Sequence, residues 1–100
     1  MIVSLFGKEH KLKFSRYSNK NTSIIADIHE KGSSLRPISC NTLLKLKGKE
    51  FVALRDSKYM IDELINNKII EDTYVGEVNE SGNKMLIYRM TDWCLSNKEV

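Results

Sequence analysis

The sequence is short of the residues on which catalysis and metal binding depend. Its 100 residues include two cysteines, two histidines, five glycines and one proline. The glycines are scattered and none precedes a Lys-Ser/Thr step, so there is no Gly-rich loop of the kind that cradles phosphates. No Gly-x-Ser-x-Gly elbow occurs, and no second group stands beside either cysteine to activate it. A zinc site needs about four ligands at suitable spacing, and His10 and His29 form no such set with Cys40 and Cys94. Asp62 and Glu63 are adjacent on a helical stretch and point apart, which excludes a paired-carboxylate mechanism. These absences argue against an enzyme, a metal site and a cofactor.

No apolar run approaches the length required to cross a bilayer. The opening "MIVSLFGKEH" lacks a basic segment, a long apolar segment and a small-residue cleavage site. A cytoplasmic location is therefore expected, with no membrane partner and with both thiols free.

What is present is the composition of an ordinary folded protein, 41% hydrophobic and 29% charged. Residues 1–95 read as one domain with a single core, and residues 96–100 as a frayed tail. The net charge of +3 is unevenly distributed. Residues 1–60 hold twelve Lys/Arg against five Asp/Glu, and residues 61–100 hold four against eight. Such asymmetry can steer a charged partner or a second copy of the same chain.

Alternation of apolar and polar residues predicts strands over 2–6 and 9–17, joined by a two-residue turn at Gly7-Lys8. That register sets Leu5 opposite His10 and Val3 opposite Leu12, with Val3, Leu5, Leu12 and Phe14 on one face. Ser18 to Asn21 form a turn cluster. A strand over 22–29 follows, turning Ile24, Ala26 and Ile28 inward, and then a loop over Glu30 to Ser34. Residues 35–43 resume as an edge strand, because Pro37 cannot donate to a ladder. After a turn at Gly48, residues 51–54 form a further strand. Met60, Ile61, Leu64 and Ile65 recur at helical spacing, which predicts a helix over 57–67 capped by Asp56 or Ser57 and ended by a left-handed Asn66-Asn67. A second hairpin over 73–78 and 84–90 turns at Gly82. The fold class is α+β: an antiparallel sheet of about six strands with one helix packed on one face, in the order βββββαββ. Several strands carry apolar residues on both sides, so the sheet either curls on itself or meets another molecule.

Lys11, Lys13, Arg16, Tyr17 and Lys20 lie on or beside the first hairpin, and Lys45, Lys47 and Lys49 crowd a later loop. With Phe6 and Tyr17 interleaved, they resemble the footprint of phosphate contact combined with base stacking. The same pattern also describes a strand's wet face.

"FGKEHKLKFSRYSNKNTSIIADI" resembles the opening hairpin and strand of a domain-of-unknown-function family. Its members are small proteins of phages, plasmids and integrative elements of low-GC Gram-positive bacteria. Phe6, Glu9, Phe14, Tyr17 and Asn19 fall at matching positions. "FVALRDSKYMIDELINNKIIEDT" is similar to the family's strand, turn and helix. Lys20-Asn21 stands where the family has Gly-Arg, and "NKMLIYRM" where it has Gly-Phe-Val. The resemblance implies an accessory protein that counteracts host defence. The expectation is thus a non-enzymatic inhibitor of a bacterial immune system, of the anti-CRISPR kind, bound to a host effector protein or ribonucleoprotein. Phe6, Lys11, Lys13, Arg16, Tyr17, Lys20, Lys45, Lys47 and Lys49 form its expected contact surface. A small anionic signalling nucleotide, a nucleic acid and a homo-oligomer are the other partners this surface would suit.

Overall fold

In the computed structural model the chain is described at residues 1–28 and 34–98. The strands are β1 (Ile2–Leu5), β2 (Lys8–Arg16), β3 (Thr22–Ile28), β4 (Ser34–Pro37), β5 (Phe51–Arg55), β6 (Gly76–Glu80) and β7 (Asn83–Arg89). Helix α1 (Lys58–Asn66) lies between β5 and β6, and a short helix α2 (Asp92–Asn97) follows β7. The class is α+β and all the strand pairing is antiparallel.

The strands form two sheets, of order β1-β2-β3-β4 and β5-β7-β6, where one sheet of about six was expected. Pro37 is the physical reason. It pairs with Ile25 at the end of β4, and a residue without an N–H cannot carry the ladder onward. The expected strand over 35–43 stops there, and the chain crosses to the second sheet. The N–H groups of Ile38 and Ser39 both donate to the Ile24 carbonyl (2.9 and 3.2 Å). The Ile24 N–H donates to Ser39 Oγ (2.8 Å), and Cys40 makes an antiparallel bridge to Ala53. Three residues thus stitch the two sheets together.

The core lies between the inner faces of the sheets. Val3, Leu5, Leu12, Ile24 and Ala26 come from the first, and Val52, Leu54, Leu86 and Tyr88 from the second. Ile61 and Leu64 of α1 close it, with Ile69, Ile70, Met90 and Cys94. Met60 and Ile65 pack half-buried against the same cluster. The alternation expected for β1 and β2 therefore holds, including His10, which is buried with Nδ1 donating to the Lys8 carbonyl (2.8 Å).

The turns differ in detail from expectation. Val3 pairs with His10 and Leu5 with Lys8, a shift that preserves which side chains share a face. The turn residues are Phe6 and Gly7, both with positive φ (54° and 77°), as a type I′ turn demands. Phe6 is an unusual residue for left-handed backbone. It is held by stacking on Tyr59 of α1 (centroids 4.7 Å apart) and by donation of its N–H to Glu63 Oε1 (3.2 Å). Ser81 and Gly82 repeat the type I′ signature between β6 and β7.

Helix α1 begins at an N-cap Ser57 and ends at Asn67, which is not left-handed. Lys68 takes that conformation (φ 60°). Asn67 instead uses its side-chain amide, donating to the carbonyls of Ser4 (2.8 Å) and Glu63 (2.9 Å). Helix α2 occupies part of the stretch expected to fray, with Ser96 and Asn97 in its last turn. Thr91 Oγ1 caps it by accepting from the Cys94 N–H (3.0 Å). The expected loop residues Glu30 to Ser33, together with His29 and the tail residues Glu99 and Val100, lie outside the described residues.

Candidate functional site

Between the Cys40 bridge and β5 the chain runs for ten residues, 41–50, without helix or strand. A segment of that length normally wanders, yet this one is tied at both sides. Asn21 is buried at the exit of the turn after β2, and its side chain makes most of the ties. Its Nδ2 donates to the carbonyls of Leu44 (2.9 Å) and Thr42 (3.3 Å) and to Asn41 Oδ1 (3.3 Å), while its Oδ1 accepts from the Leu46 N–H (3.0 Å). Asn19 adds a bond to the Thr42 carbonyl (2.9 Å), and Thr22 Oγ1 donates to the Lys49 carbonyl (3.1 Å). On the other side Glu80, at the tip of the β6–β7 hairpin, accepts from the Thr42 hydroxyl and from the Leu43 N–H (3.0 Å). One amide and one carboxylate thereby replace the regular backbone bonds that the segment lacks.

The frame is itself braced. Lys20 has positive φ (75°), and the turn closes through Lys20 N–H to Tyr17 O and Tyr17 N–H to Asn21 O, both 2.9 Å. Arg16 reaches over it, donating to the Lys20 carbonyl (3.3 Å) and to Thr22 Oγ1 (3.2 Å). The Tyr17 hydroxyl is engaged with Ser39, at 2.9 Å from its Oγ and 3.3 Å from its carbonyl.

The result is a concave depression of about 460 Å³ lined by Arg16, Lys20, Lys45, Lys47 and Lys49, with Asn21, Leu46 and Gly48 at its floor and sides. None of these five cations forms an ion pair among the described residues. The Glu50 carboxylate is folded so closely against Gly48 that a Cβ there would come within 2.5 Å of it, and that of Glu80 is bonded to Thr42 and Leu43. The depression itself is lined by five cations and no carboxylate, a concentrated positive field in a concave surface, where surrounding low-dielectric walls strengthen it. The opposite wall of the segment, from Leu44 to Lys47, borders an apolar crevice of about 330 Å³ with Phe51, Val75 and Ile87. At the apex Leu43 is 92% exposed, and Leu44 beside it is also exposed.

The structure sorts the nine expected contact residues into groups. Arg16, Lys20, Lys45, Lys47 and Lys49, from two segments far apart in sequence, come together. Lys11 and Lys13 stand on the outer face of the first sheet, where Lys13 Nζ lies 3.6 Å from Asp27. Tyr17 flanks the turn with its hydroxyl already bonded. Phe6 sits at the opposite end of β2, roughly 25 Å from Arg16 at the rise of a strand. Reasoning from sequence missed Asn21 and Glu80, the two residues that shape the site. Asn21 sat in a polar cluster that signalled a turn, and nothing in that signal distinguishes a buried asparagine from an exposed one.

Among the described residues no three His, Cys, Asp or Glu side chains gather in a way that could hold a metal ion, and no helix is long and apolar enough to cross a membrane. Comparison with known proteins found no matching family model, no significantly similar curated protein and no significantly similar solved structure.

Proposed function

We propose that this protein is a non-enzymatic binding protein that docks through the 41–50 segment onto an acidic protein surface containing an apolar pocket. One observation carries this reading. A segment fixed by side-chain hydrogen bonds holds Leu43 out into solvent, and its following residues line a depression with five cations that the rest of the described fold leaves unpaired. Holding an aliphatic side chain in water on a rigid loop has no benefit to folding. Preorganised, it supplies an anchor at small entropic cost on binding, and the surrounding charges supply orientation and a fast encounter. An aliphatic anchor favours a protein partner over a nucleic acid, because leucine offers no face on which a base can stack. The resemblance to accessory proteins of mobile elements supplies the class of partner: an effector of a bacterial immune system, inhibited by occlusion.

The test is plasmid protection in a bacterial host with an active nuclease-based immune system. The wild-type chain raises transformation, and Lys45→Glu with Lys47→Glu and Lys49→Glu loses at least about tenfold of that protection while keeping a folded spectrum, since opposed charges at an interface become like charges. Full protection by the folded variant would overturn the reading. A steeply salt-dependent shift of random single-stranded DNA by the purified wild type would redirect it to nucleic acid.

A further inference from the structure

Residues opposite one another in the three-stranded sheet run Ala53, Ile87, Gly76 across β5, β7 and β6. Ala53 and Ile87 are buried outside the main core, on the face that meets the 41–50 segment, and the row ends in a residue without a side chain. The backbone does not require glycine at position 76, since the glycines with positive φ among the described residues are Gly7 and Gly82. Space does not require it either. A Cβ there would rest 3.7 Å from Ile87, an ordinary contact. Glycine weakens a strand that a β-branched residue would strengthen, and its use inside a ladder marks a place where another group approaches the backbone closely. The missing side chain leaves open the apolar crevice of about 330 Å³, walled by Leu44, Leu46, Phe51 and Val75 over Ile87. Its walls are held in place. Asn21 bonds the Leu44 carbonyl and the Leu46 N–H, and the Val75 N–H donates to the Ile87 carbonyl (2.8 Å). Val75 is nonetheless 60% exposed and Leu44 53%, so the mouth of the crevice is apolar as well.

We propose that this crevice binds a small amphipathic anion, an apolar chain or ring lying on Gly76 and Ile87 with one carboxylate reaching Lys45 and Lys47. Small-ligand sites are concave and mostly apolar, with a few polar groups that fix orientation. Here those groups are the two lysines, which also line the crevice, and neither forms an ion pair among the described residues. No carboxylate lines it. Two cations without an acid select an anion over a cation of the same shape, and the lysine stems add apolar cover to the ligand while their ammonium groups stay in water. The volume lies at the lower end of the range for small-ligand pockets, which suits a medium-length chain and excludes a large cofactor. Apolar walls offer no partners to the polar edge of a nucleobase, which would lose its hydrogen bonds on entering. This site is independent of the docking of Leu43, whose side chain does not line the crevice.

Octanoate titrated into the isotope-labelled full chain and followed by NMR tests this, with octylammonium as the cation of matched length. Octanoate shifts the signals of Val75, Gly76 and Ile87 saturably, with a Kd of about 1 mM or tighter, and octylammonium binds at least about tenfold more weakly. Gly76→Val fills the crevice. It keeps the fold, with a urea midpoint equal to that of the wild type or higher, and weakens octanoate binding at least about tenfold. Val75→Asp, at a solvent-exposed position, weakens it as much by setting a like charge on the wall. It keeps the test decisive should Gly76→Val fail to fold. A wild type without saturable shifts at these residues, equal affinity for octylammonium, or undiminished octanoate binding by either folded variant would each overturn the inference.

Discussion

Strand β7 and the 41–50 segment use their cations in opposite ways. Lys84 of β7 lies between two carboxylates, 3.0 Å from Glu77 and 3.4 Å from Asp56, and Arg89 lies 2.9 Å from Asp92 and 3.4 Å from Glu71. Hydrogen bonding to Glu77 and then to Asp56 holds the Lys84 proton more firmly than in a free lysine, and Asp92 does the same for Arg89. Arg16, Lys20, Lys45, Lys47 and Lys49 have no such partners among the described residues, although they crowd one depression. The acidic excess of residues 61–100 is thus partly consumed within the second sheet. The basic excess of residues 1–60 is concentrated where another molecule can reach it. Sequence counts showed the imbalance of charge, whereas only the fold showed which charges are left unpaired.

Both regions rest on one core, so the largest effect comes from breaking that core. Leu64 of α1 is fully buried, and Leu64→Ala should destabilise the protein by about 2–5 kcal/mol in urea unfolding. A loss below about half a kilocalorie, the size of an ordinary surface change, would mean that α1 does not pack as described. The next largest effect should separate the two regions. Asn21→Ala removes four bonds to the 41–50 segment and leaves the part-buried Leu44 carbonyl and Leu46 N–H unmatched, at roughly 1–3 kcal/mol. Hydrogen exchange should then show the Leu46 N–H losing protection while the β5–β7 amides keep theirs. Equal loss at both places would contradict the role of Asn21 as a local frame.

A third effect depends on pH. Burial pushes the Cys94 thiol up to about 11 from an ordinary value of 9.0, against the opposing charge of Lys98. Because the folded value lies above the unfolded one, the stabilisation is complete below pH 9, and it is lost as pH rises from about 9 to 11. The loss should total roughly 2 kcal/mol, read as the difference in pH slope between wild type and Cys94→Ala, which cancels the other groups titrating there. Parallel slopes would contradict the burial of Cys94. Cys40, half-buried and free, should be the first thiol to react in the native protein.

Much of the architecture was legible because it follows from local patterning. Alternation placed Val3, Leu5, Leu12 and Ile24 inside, and helical spacing at Met60, Ile61, Leu64 and Ile65 located α1. A shift of the first hairpin by one turn position left every face unchanged, since side chains in a strand repeat every two residues. The division into two sheets was not legible. It depends on where Pro37 ends one ladder and on bonds from Ile24 to Ser39 and from Cys40 to Ala53, which join residues well separated in the chain. Helix α2 was missed although Thr91-Asp92 is a standard opening, because six residues are too few to establish a period. The site was legible in its charges and not in its shape. The lysines announced themselves, whereas Asn21 and Glu80 act over separations of 25 and 37 residues and carry no local signature.

The smallest expected effects sharpen the opening comparison. Replacing Lys45, Lys47 and Lys49 by Gln should leave the urea midpoint unchanged or slightly raised, because like charges are relieved and no ion pair is lost. Lys84→Gln should lower it slightly at low salt and not at high salt, as expected for exposed pairs screened by ions. The reverse order would mean that the segment's charges serve the fold and not a partner.

A photoreactive phenylalanine in place of Leu43 tests most directly the proposal that Leu43 and the cations of the same segment meet a protein. Irradiated in bacterial cells, that position should give a discrete protein adduct. The adduct should disappear when Lys45→Glu and Lys47→Glu are added, and it should not form when the photoreactive residue replaces Lys84. A nucleic-acid adduct, no adduct, or a protein adduct equally strong from position 84 would contradict the account.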